Sequence, residues 1–341
     1  MTRSKWFTPV FVLLLAALMV TACQSSPAAT EPAATEAAAT EAAEPTTGVV
    51  TLPTASSDDA SASGDLSFTD GFGRTVTLEK PATRIVSMAP SNTELVYGLG
   101  GGSFMVGRDE FSDYPAVVKD LPSIGGSMGK YDLEAIAALK PDLVLAGGIN
   151  TIDQVEALEN MGITVFYFPN PTNFDELYEN ILILGRMIGR ETRALGVVRN
   201  LGARVEAVQI AIEKATDKPL VYYELDATDP AKPYTSGPGT FVDTLIAMAG
   251  GENLGASLTG EWAQISQEEL LNKDPDVILL GDSAYGVTAD SLKERAGWGE
   301  LSALKNDKVF AFDDNLVSRP SMRLVDGLEQ MAKLIHPELF Q

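Results

Sequence analysis

The sequence predicts an α/β protein of two lobes, joined by a single long helix, with a cleft between them. Three observations carry that prediction. Short apolar strands alternate with helices from about residue 84 onward, the pattern of a parallel sheet covered by helices. A long helical stretch from Phe174 to about Lys214 interrupts the alternation, which restarts at Pro219. One unit also occurs twice. Asp132-Leu133-Glu134 opens a short helix that runs to Lys140-Pro141-Asp142 and an apolar strand, and Ser266-Gln267-Glu268 opens another that runs to Asp274-Pro275-Asp276 and its own apolar strand. A unit repeated so far apart along the chain points to two similar halves.

Composition bounds the function. The 341 residues suffice for about two domains. Lys and Arg number 25 against 47 Asp and Glu, a formal charge of -22, which argues against a nucleic-acid partner and for a body with acidic contact faces. One cysteine, Cys23, allows no internal disulfide, and one histidine, His336, leaves no basis for a His-rich metal site or a His-dependent triad. No Gly-x-Gly-x-x-Gly follows a strand, and Walker A and Gly-x-Ser-x-Gly patterns are absent. No resident cofactor or metal is expected, and the protein is expected to be a monomer.

In order along the chain, residues 1–23 read as an export signal: Arg3 and Lys5, then an apolar run from Val10 to Val20 too short to span a membrane comfortably. The run ends in Val20-Thr21-Ala22-Cys23, which resembles the lipobox of bacterial lipoproteins and implies cleavage before Cys23 and a lipid on its sulfur. Residues 24–65 repeat Ala, Thr, Glu, Pro and Ser with almost no large apolar side chains, so nothing offsets the entropy of ordering them; they read as a tether. An N-terminal α/β lobe is expected over 66–190. It begins with a hairpin turning at Asp70-Gly71-Phe72-Gly73, followed by a strand at 84–88, a helix from Pro90 to Leu99 and a strand at Met105–Gly107. The first repeat unit comes next, then a helix at 152–160 and a strand at 163–167. The backbone helix is expected over 191–216, with Ala194, Val197, Val198, Leu201, Val205, Val208 and Ile212 on one face. A C-terminal α/β lobe over 217–341 holds a strand at 219–223, a helix at 239–249, the second repeat unit, a strand at 309–312 and a helix at 324–334.

Glu134 and Glu268 each sit in the first turn of a helix. Helix-dipole complementarity accounts for an acid there, with Asp132 and Ser266 as N-caps and Ser266 with Glu269 as a capping box. It leaves the recurrence of the whole helix-Pro-Asp-strand unit unexplained.

Several stretches, taken in order, resemble one family. They are Arg84 to Gly98, Phe111-Ser-Asp-Tyr-Pro115, Leu133 to Val144, Ala249-Gly-Gly-Glu-Asn253, Trp262 to Glu268, Gly297-Trp298 and Arg319-Pro320. The family is that of the substrate-binding proteins of ABC importers for iron-siderophores, haem and cobalamin, and the likeness covers residues 67–341. It implies two α/β lobes on one backbone helix, a ligand cleft between them, and Glu134 and Glu268 on the lobe tops, pairing with arginines of a permease dimer that works with an ATPase. Positions matching the family's cleft lining are Phe111, Met128, Tyr234, Trp262, Asn315 and Arg319. Trp262 lies in a Gly260-Glu261-Trp262 loop, Tyr234 in a loop opening a helix, and Arg319 before Pro320, placed to pair with an anionic ligand. Local packing is the competing account for the aromatics, and a structural ion pair for Arg319. Tyr131 and Tyr285 are further candidates.

The chain departs from the cobalamin binders at Met128 and Gly147, where they carry aromatics, and from the haem binders in the register of Tyr131. Arg319 and Arg323 form the one evident arginine cluster of the kind siderophore binders use. The expected function is a lipid-anchored solute-binding protein that captures a metal chelate, a ferric siderophore first, cobalamin next, with haem as an alternative. Two other classes stay open: an anchored hydrolase using cleft carboxylates, and a surface sensor without an importer. The stiff backbone helix predicts a small hinge motion.

Overall fold

The computed structural model describes residues 66–340. The expected export signal, Cys23 and the tether lie outside the described residues. The chain opens with a hairpin, β1 (Leu66–Thr69) and β2 (Thr75–Leu78), paired antiparallel across the predicted turn. Asp70 ties that turn by accepting the N–H groups of Phe72 and Arg74, each at 3.0 Å.

The first lobe alternates as expected: β3 (Ile85–Ser87), α1 (Pro90–Gly98), β4 (Met105–Arg108), α2 (Leu133–Ala138), β5 (Leu143–Ala146), α3 (Ile152–Glu159) and β6 (Val165–Tyr167). The strands form a four-stranded sheet in the order β4-β3-β5-β6, parallel throughout. Its central strands, Ile85-Val86-Ser87 and Leu143-Val144-Leu145-Ala146, are fully buried and apolar but for Ser87, as a sheet covered on both faces requires.

Two helices follow, α4 (Phe174–Met187) and α5 (Glu191–Ile212). The 22 residues of α5 span about 33 Å at about 1.5 Å per residue. Ala194, Val198, Leu201, Val205 and Val208 are buried along one face, with Val197 and Ile212 packed at its margin. The α4–α5 crossing is close because Gly185 has no side chain: a Cβ there would stand 2.5 Å from that of Ala194. Further along, α5 packs on helices of the second lobe, so it belongs to the cores of both.

The second lobe comprises β7 (Leu220–Asp226), β8 (Tyr234–Ser236), α6 (Phe241–Met248), β9 (Glu252–Asn253), β10 (Trp262–Gln264), α7 (Gln267–Lys273), β11 (Val277–Leu280), α8 (Ala289–Lys293), α9 (Ser302–Lys305), β12 (Val309–Ala311) and α10 (Leu324–Ile335). Its sheet runs β10-β8-β7-β11-β12, with β9 also pairing β7. This sheet is mixed: β7, β9, β11 and β12 are parallel, whereas β8 and β10 are antiparallel additions. Tyr234 and Trp262, expected in loops, open β8 and β10, where Trp262 stands opposite Ser236 and Tyr234 opposite Gln264. The two segments approach so closely at Gly237 that a Cβ there would lie 2.0 Å from the Gly260 carbonyl oxygen.

The repeat has the same construction in both lobes. Asp132 and Ser266 cap their helices, accepting the N–H of Ala135 at 2.9 Å and of Glu269 at 3.1 Å. The return bond from the Glu269 side chain that a capping box requires is not made. Lys140 and Asp274, each just before the proline, adopt left-handed conformations with φ of 49° and 48°. The aspartate after each proline clamps the start of the neighbouring strand. Asp142 accepts the N–H groups of Thr83 and Arg84 at 3.0 and 2.9 Å, and Asp276 accepts that of Leu220 at 2.8 Å. The recurrence therefore has a structural cause of its own: the unit turns the chain and registers one parallel strand beside the next.

Candidate cleft between the lobes

Both lobes present the loops that follow the C-terminal ends of their parallel strands, where ligands bind in open α/β sheets. A cavity of about 370 Å³ lies between these loop sets. On the N-terminal side it is lined by Ala89 to Ser91, Phe111, Gly148, Ile149 and Asn170; on the other by Asn315 and Ser318 to Pro320. A larger cavity of about 670 Å³ lies wholly in the second lobe, among Leu225 to Thr228, Tyr234, Gly281, Asp282, Ala284, Tyr285, Val287 and Asp313 to Asn315. Asn315 lines both, so the two spaces meet at that residue.

The structure divides the six expected cleft residues. Phe111, Asn315 and Arg319 line the first cavity; Tyr234 and Asn315 line the second, with Tyr285. Trp262 and Met128 line neither, although Trp262 is half exposed and Met128 is 91 % exposed on a left-handed residue of the turn Ser127–Gly129. Phe111 is positioned by a buried aspartate: Asp109 accepts the N–H groups of Phe111 at 2.9 Å and Ser112 at 3.1 Å. Burial pushes the Asp109 carboxyl above its usual range, against the pull of those hydrogen bonds. Tyr131 is committed elsewhere. Its hydroxyl donates to the Met88 carbonyl at 2.9 Å and accepts from Asn150 at 2.8 Å.

The arginines are committed as well. Arg319 pairs with Asp113 at 2.6 Å and lies 3.6 Å from Glu94. Arg323 grips Glu94 with both prongs of its guanidinium, the Nε contact at 2.9 Å, and stacks 4.2 Å above the Tyr114 ring. Glu94, on α1 of the first lobe, is almost wholly buried, so these are ion pairs across the base of the cleft. Burial works to raise Asp113, but the Arg319 hydrogen bond and charge outweigh it and hold its carboxyl below the usual range. For Arg319, the structural ion pair is the arrangement observed.

A second buried cluster backs the larger cavity. Arg295 donates to both oxygens of the fully buried Glu224, at 2.6 and 2.8 Å, and lies 4.5 Å above the Trp298 ring. Asp282, beside Glu224, is pushed up to about 7, by burial first and then by the Glu224 charge. Sequence reading singled out none of Glu94, Asp113, Glu224, Asp282 or Arg295. Each is a single charged residue in an acidic chain, and only the fold brings them together.

Glu134 and Glu268 are exposed at the second positions of α2 and α7, and neither has an ion-pair partner among the described residues. Glu268 borders a shallow hollow with Gln267, Leu271 and Asn272. Among the described residues no group of His, Cys, Asp and Glu side chains is placed to hold a metal ion.

The periplasmic binding protein family matches residues 85–316. The chain belongs to that family. Its members are substrate-binding transport proteins and not enzymes. Among relatives, an uncharacterized ABC transporter substrate-binding lipoprotein, YvrC, of Bacillus subtilis is 34% identical over 278 residues, 80% of this chain and 86% of that one. A cobalamin-binding protein of Halobacterium salinarum is 30% identical over 301 residues, 86% of this chain and 80% of that one. Among solved structures, the periplasmic vitamin B12 binding protein BtuF of Vibrio cholerae aligns with TM-score 0.66 at 27% identity, covering 76% of this chain and 99% of its own. The apo haem-binding protein RhuT from Roseiflexus aligns with TM-score 0.67 at 25% identity, over 76% and 99% of the two chains. Two lobes facing a cleft are thus the architecture of this family.

Two outcomes follow from the buried charges. Glu94→Ala leaves Arg323 without its carboxylate and should lower stability by about 3 kcal/mol, seen as a lower urea midpoint at unchanged m-value. A loss within error of zero would show that Glu94 holds nothing together. Asp282 has a folded-state pKa above its value of 3.8 in the unfolded chain, so its contribution is complete below that value and lost as pH rises through about 7. Asp282→Asn should therefore melt close to wild type at pH 4 and above it at pH 8; parallel melting curves at both pH values would refute the assignment.

Proposed function

We propose that this protein captures a corrinoid of the cobalamin class between its lobes and delivers it to an ABC permease and its ATPase. The observation that carries the ligand choice is the state of the cleft arginines. Arg319 and Arg323 are bound to Glu94 and Asp113, and the cavity of the second lobe is lined by four aspartates with no lysine or arginine. A polyanionic ferric siderophore or the two propionates of haem would enter that environment without a cationic partner and against like charge. Cyanocobalamin carries no net charge and is rimmed by amides. Flat apolar contact from Phe111 and Ile149 on one wall and acceptors on the other suit such a molecule. This reverses the order expected from the sequence, which put siderophores first on the strength of the two arginines. The names of the Halobacterium and Vibrio relatives support the same choice.

For delivery, Glu134 and Glu268 are the proposed docking acids, one on each lobe, gripped by permease arginines. Exposed pairs of this kind orient the encounter and set its rate more than its strength. No helix among the described residues is long and apolar enough to cross a membrane. Attachment in this proposal runs through lipid on Cys23 and the tether of residues 24–65.

In a thermal-shift panel of cyanocobalamin, haemin and ferric siderophores, cyanocobalamin at about 100 times its dissociation constant should stabilise the protein by about 2.7 kcal/mol. A shift with a siderophore and none with cyanocobalamin would overturn the ligand choice. Reversing both docking charges, Glu134→Lys with Glu268→Lys, should abolish uptake in cells or proteoliposomes and leave ligand affinity unchanged; undiminished transport by the double variant would sink the docking assignment.

A further inference from the structure

The two arginines of the cleft are held in unlike ways. Arg323 gives Nε and Nη2 to the buried Glu94, which also receives the Ser321 hydroxyl, and it lines neither cavity. Arg319 does line the cavity of about 370 Å³, and only its Nη1 is engaged, 2.6 Å from Asp113 and 3.6 Å from Glu94. Among the described residues its Nε and Nη2 meet no acceptor, and neither atom is sealed from solvent. Its neutralisation therefore falls to Asp113, because Glu94 is already matched by Arg323. The Asp113 side chain comes from the first lobe, is 47% exposed and lines neither cavity. Burial works to raise its carboxyl, but the Arg319 hydrogen bond and charge outweigh it, so Asp113 is ionised at neutral pH. Arg319 is thus a cavity-lining side chain with free N–H donors, whose charge is cancelled by an acid standing outside the cavity.

We propose that Asp113 sets the charge specificity of the cleft: by neutralising Arg319 it turns an anion receptor into a donor for uncharged acceptors such as amide carbonyls, and it bars carboxylate-bearing ligands. The proposal rests on the reading of the cleft as the ligand site and names one acid as the source of its preference for uncharged ligands. A guanidinium with unspent charge binds a carboxylate through charge-assisted, parallel N–H bonds. With Asp113 beside it, an incoming carboxylate meets one attraction and one repulsion of similar range, whereas a hydrogen bond to a neutral carbonyl loses little. The four charges at the base of the cleft, Glu94 and Asp113 against Arg319 and Arg323, balance. Removing the Asp113 charge leaves one positive charge, and it falls on Arg319 because Arg323 keeps its bidentate partner. Since Asp113 lines neither cavity, replacing it changes the charge of the wall without changing the side chains a ligand touches.

The test titrates cyanocobalamin and its monocarboxylic acids, in each of which one peripheral amide has become a carboxylate, into wild type, Asp113→Asn and Asp113→Ala by calorimetry. Glu206→Gln, which removes the same charge from the exposed face of α5, is the control for net charge. Wild type should bind at least one acid more weakly than the parent, and both Asp113 variants should shift that ratio about tenfold in favour of the acid, while Glu206→Gln leaves it in place. Wild type binding every acid as well as the parent, a ratio that neither Asp113 variant moves, or an equal shift in Glu206→Gln overturns the proposal and leaves the corrinoid reading standing. If wild type does not bind cyanocobalamin, the corrinoid reading fails and the role of Asp113 is decided by benzoate against benzamide, followed by NMR at the Arg319 Nε–H. Benzoate acting there at about tenfold lower concentration in Asp113→Asn than in wild type, with benzamide unchanged, supports the proposal; an equal response, or none, overturns it.

Discussion

The relation between the lobes depends on the ion pairs that Glu94 makes across the base of the cleft. Glu94 is carried by α1 of the first lobe, and Arg323 sits at the start of α10 in the second. Burying both charges is costly, and the fork geometry, the Ser321 hydroxyl and the stacking on Tyr114 are what compensate. The same helix α10 is held from its other side: Arg204 of α5 bonds Glu329 at 2.9 and 2.8 Å and Asp326 at 2.6 Å. So α10 is tied by one arginine to the backbone helix and by another to the opposite lobe. Widening the cleft would strip the Glu94 pairs of their geometry while the helix α5 resists bending.

Those ion pairs also bear on what the proposed ligand site could recognise. Two guanidiniums near a cleft invite the inference of an anion site, but their charge is spent within the protein. What remains for a ligand is an apolar wall on the first lobe and an acidic wall on the second. A chain with a net charge of -22 adds a long-range field of the same sign. In the proposed reading, rejection of anionic chelates would need no dedicated element; it would follow from where the arginines are used.

The architecture was legible in the sequence because periodicity and turn chemistry fix it locally. The apolar face of α5, the parallel strands of the first lobe and the caps at Asp132 and Ser266 all follow from residues close together in the chain. Three features did not. β8 and β10 are three residues each, too short for alternation to register, and they exist because Gly237 lets two segments approach. The partners of Arg319 and Arg323 lie more than two hundred residues away in the chain, so a basic cluster near the end read as free charge. Asp282 looks like any surface acid of this protein until the sheet places Glu224 beside it.

The repeated unit shows how a functional reading and a structural one divide a single motif. The left-handed residue, the proline and the following aspartate are explained by strand registration, and the N-cap is supplied by Asp132 or Ser266. None of these roles uses Glu134 or Glu268. A first-turn acid on an exposed helix contributes about 0.3–1 kcal/mol through the helix dipole, and in α7 the adjacent Glu269 offers a second acid in the same turn. The fold therefore needs the unit but hardly needs these two carboxylates. Recurrence alone is a weak argument for a shared docking role, because it is already accounted for. Both glutamates are exposed, nearly dispensable to stability and without an ion-pair partner among the described residues, which leaves their charge available to the proposed partner.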